Sequence, residues 1–346
     1  MKRVELDGAR VRALAGAVQN ARVCMIGDVC LDLYWRADMR LSRLSRETPH
    51  FPLPVVGETA SPGGGGNVAC NLRALGVGEL TVISVIGDDW RGFLLRDCFA
   101  KRGIDTGRLI VSQGRVTPCY CKPLRAGISE TVYEDPRIDF ENFDPISAGD
   151  EDRVLAALDE AAGRCDVIAV CDQYRHGVLT GRVRARLAEI GARMPVIVDS
   201  RENAALYTGV ILKPNEVEAA LAVGRAPSGA PAPEEYGEIA KTLSARTGRP
   251  VIVTLGEVGA LWYSGDEGLA FAPTRPQKPP VDIVGAGDTF LSAFCAARAA
   301  GAAGGEALAF ANLASGVTVK KIGTTGTASP AEIIQKFEEN SRCTIA

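Results

Sequence analysis

The chain has 346 residues, 46% of them apolar and 23% charged, with a net charge of −3. That make-up is ordinary for a soluble globular protein and long enough for one large α/β domain with an inserted piece, or for two domains. The weak negative charge excludes broad electrostatic binding to nucleic acid or to an anionic membrane, although not a local basic pocket for a phosphorylated ligand.

The first 23 residues, MKRVELDGARVRALAGAVQNARV, are amphipathic and carry acids. They lack the apolar core and small-residue cleavage site of a signal peptide and read as a surface helix ahead of the first strand. No apolar run approaches the roughly 20 residues of a spanning helix, so a cytoplasmic protein is expected. Short apolar runs at 22–27, 81–87, 166–171, 195–200, 209–214 and 251–256 read as strands buried on both faces. Helical patterns fall between them at about 67–76, 90–102, 151–163, 180–192, 215–222 and 234–247. Further helices are expected near 287–300, 304–321 and 330–340. This βαβ alternation predicts an α/β fold with a mostly parallel central sheet and helices on both sides.

Two stretches break the rhythm. Residues 33–57 contain Tyr34, Trp35 and several prolines, and residues 107–140 contain alternating segments such as PCYCKPL. Together they predict a small antiparallel sheet beside the main one, serving as a lid over a cleft or only as decorated edge strands. Residues 224–233, GRAPSGAPAP, form a surface loop. Ten cysteines are present; Cys24, Cys165 and Cys171 lie in or beside strand-like runs, and Cys70, Cys98 and Cys295 in helical patterns. They read as small core residues in a reducing compartment. Cys119 and Cys121 form the one close pair, with no second pair or histidine cluster to make a zinc site.

Four motifs carry chemistry. The sequence V-D-I-V-G-A-G-D-T-F (281–290) puts Gly285, Ala286, Gly287 and Asp288 at the opening of an apolar helix. Free N–H groups and the positive end of the helix dipole make such a turn an anion site, and an ionised aspartate there can accept a proton from an attacking alcohol. On its own, the turn is equally well an acidic helix cap. Pro62 to Asn67 sets Gly63, Gly64, Gly65 and Gly66 ahead of a helix, leaving room for a polyol near Asn67, or forming a flexible turn with Asn67 as N-cap. Lys213-Pro214-Asn215-Glu216-Val217-Glu218 follows a strand. Glu218 there is suited to hold magnesium through water, or to close a capping box with Asn215. Thr254, Gly256 and Gly259 form a strand-end turn that faces a nucleotide or simply makes a hairpin.

The order of the four motifs is more specific than any one of them, and from residue 22 to about 340 the chain resembles the ribokinase-like (PfkB) carbohydrate kinases. The resemblance implies a Rossmann-like domain with a small β lid, using ATP and Mg2+ to phosphorylate a sugar or nucleoside hydroxyl. Carried over by motif, Asp288 is the base, with Gly285, Ala286 and Gly287 as anion hole. Lys213, Asn215 and Glu218 serve the phosphates and magnesium, Thr254, Gly256 and Gly259 line the nucleotide site, and Asn312 lies near the adenine. Asp32, Gly64, Gly65, Asn67, Arg137 and Asp172 fall at sugar-binding positions. A monovalent cation, K+, near Asp282 and a lid-to-lid homodimer are features of some members.

Within the family, GDVCLDLYW, SRLSRETP, PRIDFEN, VDIVGAGDTF and FANLASGVTVKKIGTTGTASP resemble the kinases that phosphorylate the anomeric hydroxyl of D-glycero-D-manno-heptose 7-phosphate. Three stretches depart from their pattern: 45–49 reads S-R-E-T-P for S-P-E-A-P, 171–177 reads C-D-Q-Y-R-H-G for the shorter S-D-Y-x-K-G, and 63–67 reads G-G-G-G-N for G-G-A-A-N. All three lie where the substrate is expected, leaving fructose phosphate, ribose or a nucleoside as alternatives. Arg43, Arg46, Arg137 and Arg175 are candidates for a substrate phosphate, or ordinary surface charges. A single kinase domain is expected, without the nucleotidyltransferase domain fused to some relatives. A non-catalytic sugar- or nucleotide-binding regulator is the competing reading, opposed by the intact Asp288, Asn215 and Glu218. A dinucleotide-dependent oxidoreductase is disfavoured because GDVCLD, and not G-x-G-x-x-G, follows the first strand.

Overall fold

A computed structural model describes residues 1–323 and 325–342. In chain order its elements are β1 (Lys2–Arg3), α1 (Gly8–Ala17), β2 (Arg22–Gly27), β3 (Val29–Asp38), β4 (Val55–Gly64), α2 (Gly65–Ala74), β5 (Glu79–Gly87), α3 (Trp90–Ala100), β6 (Leu109–Ser112), β7 (Cys119–Ala126), β8 (Tyr133–Glu134) and β9 (Ile138–Phe140). There follow α4 (Ala148–Ala162), β10 (Val167–Asp172), α5 (Gly181–Gly191), β11 (Val196–Ser200), β12 (Ile211–Leu212), α6 (Glu216–Ala222), α7 (Pro233–Thr247) and β13 (Val251–Thr254). The last are β14 (Gly259–Ser264), β15 (Gly268–Pro273), α8 (Ala286–Ala299), α9 (Gly304–Thr318) and α10 (Pro330–Arg342).

The main sheet runs β1-β15-β14-β13-β12-β11-β10-β2-β5-β6 and is parallel except for β14. Its inner strands are buried on both faces because alternate side chains feed two cores. Met25, Ala169 and Ile197 enter one with α2, α8 and α9. Ile26, Val170 and Val198 enter the other with α4, α5 and α7. The chain lays β5 and β6 on one side of β2, then returns with β10 on the other side and moves outward through β11, β12 and β13. The reversal between β2 and β10 opens a crevice at the carboxyl ends of the strands, the usual place for a ligand in such sheets. Helix α8 packs across β2, β10 and β11, with its N-terminus at the carboxyl ends of the strands.

The smaller sheet contains β4, β3, β7, β8 and β9. It is antiparallel at β3–β4, β7–β8 and β7–β9, while β3 and β7 run parallel. It differs from the expected lid in extent. Strand β3 begins at Val29 and β4 continues to Gly64, beyond the predicted 33–57. Leu109–Ser112 belongs to the main sheet, because its apolar residues pair in parallel with Ser84–Gly87 and pack on the core. The run at 209–214 yields only the two-residue β12, since Gly209 adopts φ +70° and Pro214 has no N–H for a ladder. Nine cysteines are free thiols, and the tenth, Cys343, lies outside the described residues, as does Thr324 of the KKIGTTGTASP stretch.

Candidate active site

A cleft of about 510 Å³, within the range of small-molecule sites, lies at the carboxyl ends of β10 to β13. Lys213, Asn215, Glu218, Thr254, Gly256, Gly259, Ala286, Gly287, Asp288 and Asn312 all line it. Three of the four motifs, together with Asn312, thus converge on one cleft.

Helix α8 begins without a side-chain cap. Gly285 takes its N-cap place at φ +79°, a left-handed conformation suited to glycine, and a Cβ there would stand 2.8 Å from Asn67 Nδ2. The N–H of Ala286 donates to Ile283 O (3.1 Å), so this member of the expected anion hole is already engaged. Gly287 and Asp288 follow in the first turn, where a helix supplies no partner for the N–H.

The Asp288 carboxylate is half-buried and accepts from Asn67 Nδ2 at 2.7 Å. Desolvation pushes its carboxyl up to about 7; the Asn67 bond and Lys213 oppose the shift, while Asp199 and Asp32 reinforce it. A carboxylate poised near neutrality, exposed to a cleft and beside a helix N-terminus, is suited to general-base work.

Lys213 is buried directly after β12 and pairs with Asp199 Oδ2 at 3.0 Å. Desolvation alone would lower its pKa, but Asp199, with Glu218 and Asp288 nearby, keeps it raised and charged. Asn215 and Glu218 close a reciprocal capping box on α6: Glu218 N donates to Asn215 Oδ1 (2.8 Å) and Asn215 N to Glu218 Oε2 (2.9 Å). The cap reading and the cleft reading therefore both apply to this pair. Burial pushes the Glu218 carboxyl up, with Asp199 adding to the effect. Among the described residues no set of three His, Cys, Asp or Glu side chains forms a metal cage. Magnesium held mostly by waters and phosphates needs none, and Glu218 on the cleft wall fits that role.

Turn 256–259 is likewise both a hairpin and a wall. Strand β13 turns there into antiparallel β14, and a Cβ on Gly259 would come within 2.3 Å of Ala272 O. Asn312 faces the cleft while its Nδ2 donates to Ala272 O (2.8 Å).

The sugar-side candidates lie elsewhere and line none of that cleft. Asp32 projects from β3, and its Oδ1 accepts from Lys122 Nζ (3.2 Å), which also reaches the Tyr34 hydroxyl at 2.9 Å. Gly63 makes room for this carboxylate, since a Cβ there would approach Asp32 Oδ2 to 2.5 Å. Gly64 caps α2 at φ +56°, and Gly65 N donates to Asp28 O (2.7 Å). Asn67 connects this side to Asp288. Arg137 stacks over Tyr120 (4.2 Å) and is tied to Asp139 at 2.6 Å. Arg43 and Arg46 are exposed, and Arg175 lines a separate cavity of about 280 Å³.

Asp172 departs from the expectation. Its carboxylate is buried and accepts from Tyr207 (2.9 Å), Ser200 (3.0 Å) and Asn203 (3.2 Å), so it braces the loop after β11. Asp282, near the expected K+, accepts from the N–H of Val284 and Gly323, both at 3.0 Å.

The pfkB family carbohydrate kinase model matches residues 20–332 of the sequence. The chain belongs to that family. It is a phosphotransferase of the ribokinase-like α/β fold that acts on an alcohol group. The "Bifunctional protein HldE" of Geobacter metallireducens is 34% identical over 334 residues, 95% of this chain. That of Geotalea uraniireducens is 35% identical over 343 residues, 97% of this chain. The chain spans 65% and 66% of these relatives' lengths. Among solved structures, an Arabidopsis thaliana ribokinase complexed with ribose and ATP matches at TM-score 0.66 and 19% identity, covering 92% of this chain and 99% of its own. A putative sugar kinase from Clostridium perfringens matches at TM-score 0.71 and 17% identity, covering 92% and 96%.

Sequence reasoning missed two acids, one lining the cleft and one beside it. Asp199 anchors Lys213, and an acid at the carboxyl end of a parallel strand was the available signal. Asp28 is buried and accepts from the N–H of Gln173 (2.8 Å), Tyr174 (2.9 Å) and Val178 (2.8 Å), shaping the atypical loop 171–177. Desolvation raises its carboxyl to about 6 despite those three donors.

Proposed function

We propose that the chain transfers a phosphoryl group from ATP to a hydroxyl of a sugar phosphate, with D-glycero-D-manno-heptose 7-phosphate as acceptor and heptose 1,7-bisphosphate as product. The observation that carries this reading is the Asn67–Asp288 contact at the open end of α8. It joins the cleft side, where a nucleotide fits, to the lid side, where Asp32 and Lys122 stand ready for a polar substrate.

In this scheme Asp288 takes the proton from the attacking hydroxyl. The N–H groups of Gly287 and Asp288 and the α8 dipole meet charge on the transferring group, and Lys213, fixed by Asp199, faces the phosphates. Glu218 would hold Mg2+ through water, and that ion supplies neutralisation of phosphate charge. Support for ATP with Mg2+ comes from a neighbour of the same fold, a putative ribokinase II from E. coli in complex with both, at TM-score 0.62 and 20% identity. Support for heptose phosphate comes from the stretches GDVCLDLYW, PRIDFEN and FANLASGVTVKK. The free thiols fit a reducing cytoplasm.

The test is ADP release with ATP and a panel of heptose 7-phosphate, fructose phosphates, ribose and nucleosides. Heptose phosphate should be turned over best. Turnover of a nucleoside or fructose phosphate without heptose phosphate would overturn the substrate, and nucleotide binding without turnover on any acceptor would favour a regulator.

A further inference from the structure

Behind the Asn67–Asp288 contact lie two buried polar side chains, Asn71 and Thr289, that the chemistry above does not use. Asn71 and Thr289 are fully buried, and Asn67 is 2% exposed. The Thr289 hydroxyl donates to Asn71 Oδ1 at 3.0 Å. Asn71 Nδ2 in turn donates to Asn67 Oδ1 (3.2 Å) and to Asn67 O (3.0 Å). Asn67 Nδ2 then donates to Asp288 Oδ2 at 2.7 Å.

This series of bonds has a direction. A carboxamide has an acceptor end and a donor end, so what binds one end decides where the other points. The Asn67 carbonyl only accepts, so the Asn71 amino group points to Asn67 O and Oδ1, and the Thr289 hydroxyl, donating to Asn71 Oδ1, anchors the other end of that amide. With Asn67 Oδ1 so taken, only the Asn67 amino group is left for Asp288. A flipped Asn67 would set a carbonyl oxygen against a carboxylate, with two acceptors facing each other. Ser292 joins the same two helices, reaching Val68 O at 3.0 Å, so α2 and α8 are already tied without the relay.

We propose that Asn71 and Thr289 are positioning residues for phosphotransfer: they lock the Asn67 amide with its N–H toward Asp288 and so hold the base in place as a carboxylate. The proposal rests on the reading of Asp288 as the base. The other charged or titratable groups around Asp288 are Asp199 from β11, Lys213 after β12, Asp32 and Cys30 from β3, and Cys171 from β10. None of them belongs to the relay, so a change at Thr289 leaves that field as it is and removes only the anchor on Asn71 through which Asn67 is held. A donor lost from the carboxylate favours its protonated form, so the pH below which the enzyme fails must rise.

The experiment measures kcat/KM from pH 5.5 to 9.5 for the full chain, with ATP and the accepted sugar phosphate, in wild type, Thr289→Val and Thr289→Ser. Valine keeps the shape and removes the hydroxyl. The expected result is an acidic limb displaced upward by roughly one pH unit in Thr289→Val, about tenfold in rate on that limb, as for a weakened charge-assisted hydrogen bond. Thr289→Ser, which keeps the hydroxyl, should return the limb to the wild-type position. A purely structural role would lower the amount of folded enzyme and leave the limb where it was. If Thr289→Val does not accumulate folded, Thr289→Ala carries the same expectation. An unmoved limb in a folded variant without the hydroxyl overturns the relay. Asp288→Asn separates the two readings: turnover near wild type removes the base and the relay together, whereas an inactive Asp288→Asn beside an unmoved limb removes only the relay.

Discussion

Two helices present their N-termini to the same cleft and treat their unpaired N–H groups in opposite ways. Helix α6 caps itself through Asn215 and Glu218. Helix α8 starts on Gly285 with no side-chain cap and leaves its first turn facing the cleft. In sequence both are short polar or small-residue turns before an apolar helix. Where the chain supplies its own cap, the helix end contributes a side chain to the site. Where it withholds the cap, the end is available to an anion.

The largest effect that could break this contrast is at Asp288. Asp288→Asn should lower kcat by about 10²- to 10⁴-fold while calorimetry shows nucleotide binding retained. The same variant should melt higher than wild type at pH 8. The carboxyl ionises near its ordinary 3.8 when unfolded but near 7 when folded, so native stability falls as pH rises between those values and the full penalty applies above them. The gap in melting temperature should close toward pH 4. Wild-type turnover in this variant would reduce the end of α8 to a cap.

Lys213→Met tests what lies between the two helix ends. It leaves Asp199 with an uncompensated charge, and denaturant unfolding should show a loss of about 3–5 kcal/mol. Gly285→Ala should cost about 1–2 kcal/mol by the same measurement, from the left-handed backbone and the approach to Asn67. At Gly287 a Cβ would meet nothing within 4 Å, so Gly287→Ala should change stability by under about 0.5 kcal/mol. At α6, Asn215→Ala opens the capping box and should cost about 1 kcal/mol in thermal melts, more than Gly287→Ala.

The same contrast explains what could be read in advance. The buried strands and the α8 turn were legible because they depend on local patterns: runs of β-branched residues, and glycines before an apolar helix. Two further parts of the cleft wall were legible because the 213–218 and 254–259 motifs each follow their own strand. The proposed sugar side was not, because its contacts join distant strands. Lys122 meets Asp32 only through the parallel pairing of β3 with β7. Asp28 and Asp32 stand in one GDVCLD segment, and nothing local tells that one is enclosed by loop 173–178 while the other faces the lid. Asp172 looked available at a strand end, yet Tyr207, Ser200 and Asn203 surround it. Asn67 and Asn71, four residues apart on one helix face, held a signal of their link that spacing alone could have given.

The most direct measurement of the central claim is the pH dependence of kcat/KM for the wild-type chain with ATP and the proposed sugar phosphate. A single ionisation near pH 7, with the rate falling as pH drops through it, is the expected result for a desolvated Asp288 acting as base. A rate that stays level from pH 8 down to the ordinary carboxylate range near 4 would contradict it.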